Sequence, residues 1–188
     1  MKDLRYIQMV GKINGLLKMG WYKLLYGGRV HFANIPSLRH GARIKCKGGS
    51  MHAGRHFCMN NGAYCAAIDG GKLLIADNVS INCNTIVVCH DSVSIGKGCA
   101  IAPNVLIYDH DHKFGANGKE KGFRTAPISI GDNCWIGAGV IVLRGTTIGE
   151  GSVIGAGTVV SGQIPPFSLV TGTRNMVIQP LEERNSRE

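Results

Sequence analysis

IGDNCWIGAGVIVLRGTTIGEGSVIGAGTVV, residues 130–160, carries an aliphatic side chain at every sixth position: Ile130, Ile136, Val142, Ile148, Ile154 and Val160. Four positions after each stand Cys134, Val140, Thr146, Ser152, Thr158 and Ile164, all small or β-branched. Glycine follows the aliphatic residue at 131, 137, 149 and 155. A helix repeats near 3.6 residues and a strand at 2, so a period of six fits strand alternation broken by a fixed corner. Three such sides close a coil of about eighteen residues, and coils stack about 4.8 Å apart as a parallel β-helix. The aliphatic residues then point inward, each contributing roughly 1.5–3 kcal/mol when fully buried. The same spacing recurs at Ile95, Ile101 and Ile107, and again at Ile75 and Ile81, with the register jumping by two before Ile95.

The chain has 188 residues, enough for one well-buried domain and a short appendage. Its 27 glycines and few aromatics suit tight corners around a narrow aliphatic core. Seven cysteines without a CxxC pair read as reduced thiols, most of them in the core. No signal-peptide pattern follows Lys2 and Arg5, and a cytoplasmic protein is expected. The net charge of +9 is concentrated at one end: residues 1–60 hold eleven Lys/Arg and one acid, Asp3. Zinc spacings, RNP-like aromatics and recognition-helix patterns are missing, which places nucleic-acid binding behind other readings.

Residues 1–28 form a basic, amphipathic N-terminal segment. Ile7, Val10, Ile13 or Asn14, Leu17, Trp21 and Leu24 fall at helical spacing, and Gly27-Gly28 ends the run. Gly11, Gly15 and Gly20 weaken the helix by about 1 kcal/mol each. The segment is too charged to span a bilayer. It packs on its own domain or a neighbouring subunit, or it makes peripheral contact with an anionic membrane, the inner surface for a cytoplasmic protein.

The repeat stops after Ile107 and resumes near Ile128, leaving a polar excursion over 108–127 that a scaffold alone does not need. Within it Asp109, His110, Asp111 and His112 alternate. Three readings compete: a metal site, a solvated polar loop, and a general base whose imidazole is oriented by a carboxylate or carbonyl.

The 130–160 tract resembles the hexapeptide-repeat acyltransferases. The closest likeness is to galactoside and maltose O-acetyltransferases and to acetyltransferases of surface-polysaccharide gene clusters, over roughly residues 44–178. The resemblance implies an all-β fold, a left-handed parallel β-helix, assembled as a homotrimer. The β-helix domain then covers 29–179, with 108–127 as its inserted loop, and 180–188 is a polar tail.

Carried over residue by residue, the family's catalytic histidine falls on His112, with His110 as runner-up and Asp109 beside it. An acceptor-contacting asparagine falls on Asn82. Where sugar acetyltransferases carry an acidic residue against the acceptor, this chain has His90. The acyl donor implied is acetyl-CoA, and no metal is required. Trp135 lines the acetyl site, the Ala138 N–H stabilises the oxyanion, and Gly137 and Ala156 let pantetheine approach. Ser161 and Gly162 stand where many relatives carry Thr-Lys, and Arg174 takes over a phosphate contact.

The resemblance thus implies an acetyl-CoA-dependent O-acetyltransferase acting on a saccharide hydroxyl in surface polysaccharide or glycan biosynthesis. The alternatives are amino-sugar N-acetylation, serine O-acetylation, antibiotic acetylation, or a non-catalytic β-helix assembly subunit. A covalent intermediate on Cys83 or Cys89 is a further mechanistic alternative to direct transfer.

Overall fold

The computed structural model describes residues 2–115 and 118–172. After an N-terminal helix, α1 (Lys2–Tyr26), and a short 3-10 turn at Gly27–Arg29, the chain winds into a left-handed parallel β-helix of about six coils. Its three faces are parallel sheets of seven, seven and six strands. They start at Val30–Phe32, Ser37–Leu38 and Arg43–Lys47.

Strand register explains why the repeat is so regular in one tract and so broken elsewhere. Phe32, Ala53, Ile75, Ile95, Ile130, Ile148 and Ile164 stack along the first face. Leu38, Met59, Ile81, Ile101, Ile136, Ile154 and Val170 stack along the second. Ile44, Cys65, Val87, Ile107, Val142 and Val160 stack along the third. Stepping from the first face to the second, or the second to the third, always takes six residues. Stepping from the third face back to the first takes 9, 10, 8, 23, 6 and 4 residues in successive coils. Every irregularity is therefore confined to one of the three corners.

The hexad residues at 75, 81, 95, 101, 107 and 130–160 are all buried, as their spacing predicts. So are Cys134, Val140, Thr146, Ser152 and Thr158 beside them. Two features differ from the sequence reading. The hexads extend back to Phe32, through Leu38, Ala53, Met59 and Cys65. Ile164 is not a fifth-position residue but takes the inward first-face position after the shortened last corner, paired with Ile148. At the corner between the second and third faces, Asn84, Asn104, Gly139 and Gly157 all adopt left-handed backbone, with φ of 56°, 58°, 67° and 69°.

The helix caps the open edge of the first coil. It docks with its glycine side: a Cβ at Gly15 would collide with the Pro36 carbonyl. The glycines that weaken the isolated helix thus permit backbone-level contact with the prism. Unpaired groups of that edge find partners on α1: Lys18 Nζ donates to the Ala42 carbonyl at 2.6 Å, and Ile44 N–H donates to the Tyr22 hydroxyl at 3.0 Å. The apolar stripe seen in the sequence lies on the other side, with Val10, Ile13, Leu17, Trp21 and Leu24 exposed. Among the described residues no helix is long and apolar enough to cross a membrane.

The excursion after Ile107 is not an irregular loop. It is an antiparallel hairpin, His110–Gly115 against Gly118–Thr125, that leaves the prism at the variable corner. Its return is anchored where the Ala126 N–H donates to the Asp109 carbonyl at 2.9 Å.

Candidate active site

The variable corner is held together by a buried carboxylate. Asp109 is fully buried. It accepts the backbone N–H of His90 at 2.9 Å and of Asp91 at 2.7 Å, closing the widened corner of the preceding coil. It also lies 3.0 Å from His110 Nδ1. A buried acid placed this way fixes the imidazole so that Nε2 carries the exchangeable site. The rings of His90 and His110 are 4.2 Å apart, and Phe123 lies 4.4 Å from the first and 4.9 Å from the second. Burial holds the His90 imidazole below its ordinary pKa, and the neighbouring His110 adds to this. Asp69 stands 3.5 Å from its Nδ1.

Strand alternation sorts the D-H-D-H run. His110 and His112 share one side of the hairpin strand, and Asp111 points to the other. On the histidine side, His112 pairs across the hairpin with Phe123, ring to ring at 4.8 Å. His112 is exposed and lines a cleft of about 350 Å³ with Glu120, Lys121, Gly122 and Phe123. On the opposite side, Asp111 accepts from Arg144 Nε at 2.5 Å, which ties the hairpin to the next coil. Phe123, Arg144 and Asp69 are site residues that the sequence reading missed. Phe123 alone left a trace there, as a bulky apolar residue inside a polar excursion.

The other residues expected at the site lie on a different edge. Asn82 is at the corner between the second and third faces. Its Oδ1 accepts from Asn60 Nδ2 at 3.0 Å and from Cys83 N–H at 2.8 Å, so the carbonyl serves the corner itself. Two coils further on, Trp135 faces outward from the second face with 57% of its surface exposed. Ala138 follows at the corner. Its carbonyl accepts from Gly157 N–H at 2.8 Å, while its own N–H has no backbone partner among the described residues, and the residue is exposed. Ala156 repeats that position one coil later and is also exposed. Gly137 is buried, and a Cβ there would fall 2.6 Å from the Ile154 carbonyl and 2.7 Å from the Ala156 nitrogen. Coil stacking therefore demands this glycine, whatever lies in the groove.

The residues expected at the site thus fall into two separate groups on one chain. The histidine cluster stands on the third-to-first corner, and Asn82, Ala138 and Ala156 stand on the second-to-third corner. The third face, roughly 15 Å wide, lies between them. Ser161 and Gly162 are exposed on the histidine corner, not beside Ala156. Arg174 lies outside the described residues. Cys89 sits beneath Asp109, fully buried, and burial and then the Asp109 charge push its thiol up to about 12. A thiol in that state is a poor nucleophile. Among the described residues, no group of three or more His, Cys, Asp or Glu is arranged to hold a metal ion.

Residues 127–162 match the family model described as bacterial transferase hexapeptide (six repeats). A relative from Escherichia coli K12, named as a lipopolysaccharide biosynthesis O-acetyl transferase, WbbJ, is 31% identical over 161 residues, covering 80% of this chain and 82% of the relative. The chain belongs to the hexapeptide-repeat transferases. Galactoside O-acetyltransferase of Escherichia coli K12 is 38% identical over 120 residues, covering 62% of this chain and 58% of that protein. The chain spans 57–60% of the length of several other curated relatives it matches. Among solved structures, a maltose O-acetyltransferase from Clostridium difficile 630 superposes with a TM-score of 0.52 at 26% identity, over 97% of this chain and 88% of that one. Among the described residues of this hexapeptide-repeat transferase, the histidine hairpin at the variable corner and the Ala138 N–H without a backbone partner stand out.

Proposed function

We propose that this hexapeptide-repeat transferase moves the acetyl group of acetyl-CoA to a saccharide hydroxyl, in the biosynthesis of a surface polysaccharide or related glycan. The observation that carries this reading is the variable corner. There the step between faces takes 23 residues instead of six, and the corner projects two histidines, one of them backed by a buried carboxylate. The acceptor class follows the relatives named above, whose printed activities are O-acetyl transfers.

In this proposal His112 Nε2 accepts the proton of the acceptor hydroxyl as that oxygen attacks the thioester carbonyl carbon. The N–H of Ala138 donates to the carbonyl oxygen as negative charge builds there. When the C–S bond breaks, the His112 imidazolium returns its proton to the departing thiolate, leaving an O-acetyl sugar and CoA. Trp135 supplies an exposed apolar wall for the acetyl end, and the small side chain of Ala156 leaves its N–H accessible along the same edge. The free donor of the Asn82 amide, its Nδ2, serves an acceptor hydroxyl. Ser161, Gly162 and Arg174 are proposed for the nucleotide end.

The two half-sites are brought together by a second copy. In a cyclic homotrimer the histidine corner of one copy faces the Ala138 corner of the next, and each of the three interfaces then holds one complete site. Seven free thiols, five of them buried, suit a cytoplasmic setting.

The His110–Asp109 pair favours a second assignment, with His110 as the base and His112 as its neighbour. Thiol release from acetyl-CoA against a panel of saccharides tests both. Wild type should release CoA only with an acceptor present, and His112→Ala should lose at least about a hundredfold in rate. If His112→Ala keeps its rate and His110→Ala loses it, the base is His110. No acceptor-dependent release by wild type with any sugar would overturn the proposed activity.

A further inference from the structure

The cap helix has two sides, and only one of them packs on the described residues. Gly11, Gly15, Lys18 and Tyr22 face the prism. Diametrically opposite, Tyr6, Met9, Ile13, Leu17, Trp21 and Leu24 run three or four residues apart and are all more than half exposed, Leu24 at 78%. From Tyr6 to Leu24 this stripe extends about 27 Å along the end of the molecule. A stripe of this kind on the solvent side of a docked helix reverses the usual pattern, in which apolar residues face the domain.

Charge identifies the occupant. Lys12 and Lys23 are exposed along one margin of the stripe, and Arg29, Arg43, Lys45 and Lys47 are exposed around the same end of the prism. The first 60 residues hold eleven basic residues against one acid. Two such ends brought together as a dimer of caps would repel. An anionic lipid surface satisfies both features: the apolar side chains enter the acyl boundary, Trp21 and Tyr6 sit at headgroup level, and the basic margin faces lipid phosphates. Arg39, beside the helix, adds a buried Nε without a hydrogen-bond partner among the described residues.

We propose that the outward side of α1 is a docking surface for anionic bilayers, lying in the plane of the interface and holding the β-helix end-on to it. The geometry permits this without unfolding the cap, because the docked side and the lipid side do not overlap.

Flotation of the full-length protein with vesicles tests this without any acyl donor, so failure here and failure of acetyl transfer are distinguishable. The protein should float with phosphatidylcholine–phosphatidylglycerol vesicles and remain below with phosphatidylcholine alone. Leu17→Glu combined with Leu24→Glu should lower recovery at least about tenfold. Lys12→Glu combined with Lys23→Glu should weaken binding by about fivefold or more per charge. Both pairs are exposed, so unfolding midpoints and sedimentation coefficients should match wild type. Wild type that remains below with both vesicle types would overturn the proposal. So would a Leu17→Glu/Leu24→Glu protein that sediments as a smaller oligomer, since the stripe would then be an interface between copies.

Discussion

Asp109 holds His110 through Nδ1 at 3.0 Å while the same carboxylate accepts the backbone N–H of His90 and Asp91. One buried acid thereby shapes the corner and aims a ring. Replacing Asp109 with Asn leaves one acceptor oxygen against donors that two oxygens now serve, and it sets an NH₂ group against backbone N–H. Loss of about 2–4 kcal/mol of stability is expected. Chemical denaturation measures it; a change below about 0.5 kcal/mol would show that the corner does not depend on the carboxylate.

Ala138 offers a cleaner test of oxyanion stabilisation than most backbone donors. Pro103 occupies the equivalent turn position one coil earlier, before Asn104, whose φ of 58° corresponds to 67° at Gly139. The turn therefore accepts proline, and Ala138→Pro removes the N–H alone. The rate should fall about 10²–10³-fold with an unchanged unfolding midpoint. An unchanged rate would assign the donor role elsewhere.

His90 should make stability sensitive to mild acid. Burial, then the neighbouring His110, lowers its pKa in the folded chain, whereas an unfolded chain takes up the proton near 6.5. The neutral ring's contribution is full above the unfolded value and is lost as pH falls through the lowered folded value. Unfolding temperatures measured from about pH 7 to about pH 5 should fall, and His90→Gln should flatten the decline. Parallel curves for the two proteins would contradict this.

Direct transfer predicts that Cys89 is dispensable for chemistry. Its thiol is buried and raised to about 12. Cys89→Ala should keep most of the wild-type rate, and intact mass after incubation with acetyl-CoA should show no acetylated protein. An acetyl adduct lost on Cys89→Ala would establish a covalent route instead.

The sequence displayed the fold wherever its inward residues are Ile and Val. From 130 to 160 the corners are short, so the period is visible by eye. Between Phe32 and Cys65 the same hexads hold, but Ala53, Met59 and Cys65 fill the inward positions and corners of 9 and 10 residues break the count. The histidines at 110 and 112 stood out because a polar run interrupts an aliphatic ruling. Their partners did not, because Phe123 and Arg144 meet them only through hairpin register and coil stacking. The helical spacing of the stripe fits packing on protein or contact with an anionic membrane, and it does not reveal that glycines make the contact with the prism, because they allow the closest approach.

The proposed acetyl-transfer site is assembled from two corners of neighbouring copies, and mixed assembly of His112→Ala with Ala138→Pro, each nearly inactive alone, tests that sharing. Random assembly of equal amounts into rings should restore roughly a quarter of the wild-type rate, the share of interfaces with both corners intact. A mixture no more active than its separate components would contradict a site shared between copies.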